Sequence, residues 1–525
     1  MSHSPVFLIS YDIGSTGCKT CLYALDRALT LVDSALGEYT LVTRPDGGVE
    51  QDALDWWRAM ANSTRDILSR REPLTISGVS FSAQMQGLVL VDHQMHPVRR
   101  AMSYMDQRSG QQKARAVGHG ITVEGMNLVK LLKSLTINGA APVSVKDPVW
   151  KYRWVQECEP DVFARTRWWL DVKDFLIAKA TGKASMTADS AFATFLTEKR
   201  SGHTRWSPTL IEMYGITPRH LPPIVASTDV VGPLLPEAAA ELGLEPGIPV
   251  FGGGGDASMI SVGAGATREG DTYVYTGTSG WVGRITTVPK VDVSRHIAAI
   301  AGAQEGKFLY FAEQETAGKC LEWVRDHLAL DEIGVYLDRK NASDLYDFLI
   351  ETITQVPAGS TGVIFCPWLH GNRSPFEDPA ARGIFFNLSL ETGKRAMIRA
   401  VVEGIMFHQK WMMEGIQKSF SVDGPVTFVG GGALSRVTAQ MLSDILELPV
   451  RRLSDPRHAG AAGAAIAMGV GLGLIPTYED APAYLTVQDH FKPNPDTREA
   501  YRKNYRVFRR LYKSNKKNFS LLNNP

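Results

Sequence analysis

Cysteine is scarce in this chain: five residues among 525, scattered and odd in number. That excludes a disulfide scaffold and fits a reducing, cytoplasmic compartment. Net charge is nearly absent too. Fifty-six basic residues face 55 acidic ones, for a formal charge of +1, so the chain carries no global field for nucleic acid or an anionic membrane. Long apolar runs are missing. The uncharged stretch at residues 459–475 is mostly alanine and glycine. It is short for a membrane span and reads as a buried helix packed closely against its neighbours. The first residues carry no basic cluster and lead directly into the strand-like run Val6 to Tyr11, so no signal peptide is expected. Neither G-x-x-x-x-G-K-[ST] nor G-x-G-x-x-G occurs, which argues against a P-loop or a dinucleotide fold. Cys18 and Cys21 have the spacing of half a zinc site, but no second Cys/His pair lies at the expected distance, so both read as structural. His93 and His96 fall in a polar turn beside Pro97 and read as solvated.

What the chain does have is glycine turns next to acids. Val250-Phe251-Gly252-Gly253-Gly254-Gly255-Asp256 ends a β-rich run with four glycines and a carboxylate. Asp12-Ile13-Gly14-Ser15-Thr16-Gly17, Thr276-Gly277-Thr278-Ser279-Gly280 and Gly430-Gly431-Gly432-Ala433 are further turns of this kind. Glycine tolerates positive φ and lets backbone N–H groups approach a ligand. A carboxylate at such a turn can hold Mg²⁺ or its waters, while hydroxyls and N–H groups meet phosphate oxygens. Equally, Asp12 reads as an Asx-type turn closing a hairpin. One such turn says little. Four in one chain point to a nucleotide site assembled from distant segments.

At 525 residues two large domains are expected, here 1–250 and 251–490, followed by a C-terminal helix and tail at 491–525. Val6–Tyr11 and Lys19–Tyr23 read as a hairpin about Gly14–Gly17, Ala53–Arg70 as an amphipathic helix, and Ile76–Phe81 as a strand ending in Ser82-Ala83-Gln84-Met85-Gln86-Gly87. Residues 147–180 read as helical, with Trp150, Trp154, Trp168 and Trp169 in the core. From Thr272 the pattern restarts: strand, glycine turn, strand. That echo of residues 6–23 suggests two related lobes with a nucleotide between them. Helices at 395–420 and 438–446 flank a strand at 426–429. Residues 498–519 carry nine Arg or Lys with Tyr501, Tyr505, Phe508 and Tyr512 at helical spacing. The expectation is an amphipathic helix docking its aromatic face, its basic face solvated rather than binding nucleic acid.

The chain resembles the FGGY family of carbohydrate kinases over nearly its whole length. The resemblance rests on the Asp12–Lys19 segment, Gly48-Val49-Glu50-Gln51-Asp52 with Trp56-Trp57, the 82–87 loop, Met102-Ser103-Tyr104-Met105-Asp106-Gln107-Arg108, Gly253–Asp256, Thr276–Gly280, Asn372-Arg373-Ser374-Pro375 with Asp378–Gly383, and Gly430–Ala433. Within the family these segments are most like the xylulokinases. The resemblance implies an α/β, two-lobed, actin-like (ribonuclease H-like) ATPase fold with ATP and sugar in the cleft between the lobes. It implies Asp256 as general base and Asp12 as organiser of Mg²⁺, through water, and of the phosphates. Gly14, Ser15, Thr16, Lys19, Gly277, Thr278, Gly318, Gly432 and Ala433 would line the nucleotide. Met85, Gln86, Tyr104, Asp106 and Asp256 would face the sugar. The implied partners are ATP and a small sugar, with no nucleic acid or membrane; a homodimer is compatible with it.

Two positions depart from the xylulokinase pattern: Gln86 stands where that pattern has His, and Ala257 where it has Asn. Glycerol kinases have an Arg-Glu pair where this chain has Met85-Gln86, which speaks against glycerol. D-xylulose is the expected acceptor. Ribulose, erythritol, gluconate and glycerol are the alternatives within the enzyme class. An actin-like nucleotide switch is the alternative outside it, and would need the phosphate turns but not Asp256 or the sugar loop.

Overall fold

The computed structural model describes residues 4–198, 204–328 and 349–523. Two mixed sheets dominate it. The first runs Val230–Pro233, Pro249–Phe251, Ile76–Ala83, Val6–Ile13, Gly17–Leu25, Leu29–Glu38, with Gly254–Gly255 also paired to Ile76–Ala83. The second runs Val291–Asp292, Ile297–Ala301, Phe308–Gln314, Gly280–Thr286, Thr272–Thr276, Val426–Val429, Val450–Leu453, Val487–Phe491.

The two sheets repeat one connectivity. Val6–Ile13 and Gly17–Leu25 form an antiparallel hairpin, Leu29–Glu38 adds to it antiparallel, and Ile76–Ala83 lies parallel on the other side of the first strand. In the second sheet Thr272–Thr276, Gly280–Thr286, Phe308–Gln314 and Val426–Val429 take the same relations. The echo at Thr272 is therefore a repeat of topology. Each sheet has its own helix crossing back to the parallel strand. In the first lobe it is Ala53–Ser69, capped by the Asp52 carboxylate on the Leu54 N–H and burying Trp56, Trp57, Met60 and Ile67. In the second it is Lys394–Gln417. A helical crossover of this kind is the usual way to join parallel strands.

Residues 147–180 depart from the helical expectation. Helices Pro148–Cys158, Pro160–Arg165 and Val172–Thr181 are interrupted by the strand Trp168–Leu170, which pairs antiparallel with Val89–Val91. Aromatic and branched residues fit a pleated surface. Trp169 is fully buried by this pairing, while Trp168 lies half-buried under the Arg167 guanidinium.

The alanine-rich segment forms the helix Ala459–Gly471, and all of it from Ala459 to Gly469 is buried. It comes from the second half of the chain, yet it packs against the first sheet and against the helix Asp256–Gly263. Small residues permit that crossing: a Cβ on Gly463 or Gly263 would collide with the carbonyl of Met259 or Ala459. This helix and the pairing of Gly254–Gly255 with Ser82–Ala83 both cross residue 250. The C-terminal helix Arg498–Asn523 buries Tyr501, Tyr505, Phe508, Tyr512 and Phe519 against Trp368, Phe376 and Phe407. On its outer face Arg502 pairs with Glu447 and Arg509 with Glu414. Among the described residues no helix is long and apolar enough to cross a membrane.

Candidate active site

Three strand ends line up at one edge of the first sheet. Asp12 is in register with Ser82, and Ser82 with Gly254, so Asp12, the 82–87 loop and Asp256 emerge side by side. The carboxyl ends of parallel strands are where open α/β sheets bind ligands. The second sheet presents the same edge, with Tyr275 in register with Val429 and the turns Thr276–Gly280 and Gly430–Ala433 following directly.

The four glycines before Asp256 have a reason the sequence hid. A Cβ on Gly253, whose φ is +58°, would collide with the Phe81 carbonyl, and one on Gly255 with the Met85 thioether. The Gly255 N–H donates to Asp189 Oδ2 at 2.8 Å. Gly253 and Gly255 thus serve close approach within the protein, and that approach brings the strand end just before Asp256 against Met85 of the 82–87 loop.

Asp256 begins the helix Asp256–Gly263 and accepts the Ala257 N–H at 2.8 Å. The helix N-terminus and this bond favour the carboxylate. Burial opposes them most strongly, with the charges of Asp12, Glu313 and Asp171 acting the same way, and together they push its pKa up to about 7. Asp12 is buried and accepts from Lys19 Nζ and Ser82 Oγ, both at 3.0 Å. Its charge in turn holds the Lys19 ammonium above the ordinary lysine value.

The turn Gly14–Gly17 closes with Gly14 N–H on the Gly17 carbonyl at 2.9 Å, leaving Thr16 exposed at its tip. Ser15 Oγ meets the Tyr104 hydroxyl at 3.1 Å, so a residue expected at the sugar touches one expected at the nucleotide. Burial raises the Tyr104 phenol above its usual range. The second turn closes with Gly277 N–H on the Ser279 carbonyl at 2.9 Å, with Thr278 exposed. Gly318 opens the helix Gly318–His327 and donates to the Gly277 carbonyl at 2.8 Å. Gly432 packs on the Thr276 side chain, and the buried Ala433 donates to Gly430 at 3.0 Å. The expected nucleotide residues of the second lobe therefore form one contiguous patch.

Asp106 is placed differently from the rest. It is fully buried, and its carboxylate accepts the N–H groups of Val49 and Arg108 and the Arg108 guanidinium, which also reaches Glu50. Its oxygens are thus engaged by the protein, and it buttresses the 102–108 segment that carries Tyr104.

Several residues of the site were not found from sequence. Gln51 donates to the Ser15 carbonyl at 2.8 Å and accepts from Gln84 at 2.9 Å. Gln409 donates to Thr276 Oγ1 at 2.6 Å. Lys151 Nζ donates to the carbonyls of Gln86 and Ser103 at 2.7 and 2.8 Å, and Asp171 accepts the N–H groups of Gln86 and Gly87 at 3.0 and 2.9 Å. Gln86 has φ +62°, a left-handed conformation that costs a non-glycine residue about 1–2 kcal/mol. No local signal marked Asp171, since the three-residue strand it follows, Trp168–Leu170, exists only through its pairing with Val89–Val91. Lys151 stands alone among Val149, Trp150 and Tyr152, an apolar setting that marks it as buried. Cys18 and Cys21 are free and buried, His93 and His96 are exposed, and no cluster of metal-ligating side chains occurs among the described residues.

Known proteins resemble this chain over nearly its whole length. The N-terminal domain of the FGGY family of carbohydrate kinases matches residues 7–263, and its C-terminal domain matches residues 272–472. A xylulose kinase of Staphylococcus epidermidis is 26% identical over 512 residues, covering 97% of each chain. A gluconokinase of Bacillus subtilis is 26% identical over 499 residues, covering 94% of this chain and 93% of its own. The structure of a gluconate kinase from Lactobacillus acidophilus superposes with a TM-score of 0.82 at 23% identity, over 98% of both chains. With a two-lobed actin-like fold and both family domains in place, the chain belongs to the FGGY family of carbohydrate kinases.

Proposed function

We propose that this carbohydrate kinase transfers the γ-phosphoryl group of ATP to a hydroxyl of a ketopentose, D-xylulose first. The observation that carries the reading is Asp256: a carboxylate at the end of a glycine strand, against the sugar loop, with a pKa raised to about 7. A base with that affinity can take a sugar hydroxyl proton near neutral pH. Met85 and Gln86 of the 82–87 loop, with Tyr104 of the 102–108 segment, would face the sugar.

The backbone turns Gly14–Gly17 and Thr276–Gly280, with Lys19, would hold the phosphates, and Gly318, Gly432 and Ala433 the nucleoside. Asp12 would hold Mg²⁺ through water. A Cβ on Gly460 would stand 2.8 Å from Asp12 Oδ1 and from Ser82 Oγ; glycine keeps that side of the carboxylate clear, which fits a hydrated cation. When bound, Mg²⁺ neutralises charge on the transferring phosphoryl group. The protein's part is positioning: two lobes carry one phosphate turn each, and the Lys146–Glu315 contact at 3.8 Å spans the two halves of the chain. Residues 1–250 would supply the sugar loop and first phosphate turn, and residues 251–490 the base and nucleoside patch.

A neutral sugar is favoured over a sugar acid because the surroundings of Asp256 are already acidic, with Asp12, Glu313 and Asp171 all acting on it. The carboxylate of gluconate would add a like charge there. The test is kcat/KM for D-xylulose, D-ribulose, L-ribulose, L-xylulose, erythritol, glycerol and gluconate side by side. D-xylulose should lie within about tenfold of the best substrate, and gluconate should trail it by more than about tenfold. Gluconate in first place would overturn the ketopentose reading and leave the kinase assignment standing.

A further inference from the structure

The sugar loop is gripped by its backbone from two sides. Lys151 lies on the helix Pro148–Cys158 and is fully buried. Its ammonium donates to the Gln86 carbonyl at 2.7 Å and to the Ser103 carbonyl at 2.8 Å. One buried cation therefore ties the loop that carries Met85 and Gln86 to the segment that carries Tyr104. On the other side Asp171 caps the helix Val172–Thr181. One carboxylate oxygen accepts the Gln86 N–H at 3.0 Å, and the other accepts the Gly87 N–H at 2.9 Å and the Val172 N–H at 2.8 Å. Both backbone polar groups of Gln86, the residue at φ +62°, are thus held by opposite charges.

We infer that Lys151 and Asp171 are positioning residues for the acceptor sugar, forming a backbone clamp that holds the left-handed turn at Gln86 and fixes the spacing between the 84–87 loop and Tyr104. The inference rests on the reading of that loop as the sugar site. Its physical basis is that a left-handed non-glycine residue persists only where its surroundings over-determine it. Charge-assisted hydrogen bonds to carbonyl and amide are the strong kind. Because the clamp grips main chain, it is indifferent to the side chain at position 86. The fold can carry Gln, His or another residue there with the same loop path, so acceptor preference can change at Gln86 and Met85 without rebuilding the site.

The experiment compares wild type, Lys151→Met, Lys151→Arg and Asp171→Asn in the full-length protein. Two readouts are taken: steady-state kinetics with D-xylulose and with ATP varied separately, and hydrogen exchange of peptides covering 82–90 and 6–13. Lys151→Met should raise KM for the sugar about tenfold to a hundredfold while KM for ATP stays within about twofold. Exchange over 82–90 should accelerate while 6–13 is unchanged. Lys151→Arg should recover most of the sugar KM, since a guanidinium can still donate to two carbonyls. Asp171→Asn should give the same split, and stands in if Lys151→Met does not fold. An unchanged sugar KM with unchanged exchange at 82–90 overturns the inference. So does an equal rise in both KM values with faster exchange throughout, which marks a residue that only stabilises the fold. If wild type phosphorylates no sugar, the ketopentose reading fails, and the exchange pattern alone decides whether the clamp exists.

Discussion

The hairpin at Asp12–Lys19 and the hairpin at Tyr275–Trp281 share one connectivity and differ in chemistry. Asp12 faces Lys19 across the first, and Tyr275 faces Trp281 across the second. The first pair is an ion bridge of 3.0 Å, shared with Ser82. The second is a stacked aromatic pair with ring centroids 3.9 Å apart. Both are cross-strand pairs that stabilise a hairpin. Only the first places charge at the turn. The burial of Tyr275 raises its phenol, and Lys19, Asp12 and Asp256 all act on it electrostatically, so the two turns and Asp256 share one neighbourhood. A duplicated topology thus supplies two glycine turns, while the charged cross-strand pair stands only at the first, with Asp256 beside it.

As the proposed base, Asp256 tests that division most severely, because it belongs to neither hairpin. Asp256→Asn should lower kcat by about 10²–10⁴-fold with both hairpins intact. It should also raise the thermal midpoint at pH 8 by a few degrees. The sign follows from the raised pKa. Between about pH 4 and 7 the native state holds a proton that the unfolded chain has released, so stability declines as pH rises through this window. The asparagine variant escapes that decline. Near-normal turnover, or a lower midpoint, would place the base elsewhere.

The hairpins themselves can be set against each other. Asp12→Ala should lose about 10²-fold or more in kcat and shift half-maximal activity to higher Mg²⁺, with sugar binding retained. Tyr275→Phe at the matching position should cost less than about tenfold. Equal losses, or an unchanged Mg²⁺ requirement in Asp12→Ala, would mean the two turns do the same job.

The smallest expected effect is on the pH profile. In wild type, kcat/KM should fall about tenfold per unit below pH 7 as Asp256 takes up its proton. Tyr275→Phe should leave this limb in place. A profile flat from pH 5.5 to 7.5 would contradict the assignment of the base.

Much of the molecule was legible in order along the chain. The hairpin about Gly14–Gly17, the helix from Ala53, the strand from Ile76 and the restart at Thr272 all follow from local periodicity and turn residues. The C-terminal helix was legible because its aromatic residues recur on one face. The interruption at Trp168–Leu170 was not, since a three-residue strand leaves no periodic trace and exists only through its partner Val89–Val91. Asp106 could be singled out by its motif, but whether its oxygens faced a ligand or Arg108 depended on a side chain two residues on and on the Val49 N–H 57 residues away.

The sequence by itself determined the family pattern, the four glycine turns and the identities of Asp12 and Asp256, because these are written in short contiguous segments whose conformations are local. Only the tertiary structure decided that Gly253 and Gly255 are small to admit Phe81 and Met85, that a helix from the second half of the chain braces the first sheet, and that Lys151 and Asp171 grip the loop at Gln86. Those facts depend on contacts between residues far apart in sequence. Such contacts form only when the sheet register has brought their strand ends together, and no local pattern encodes them.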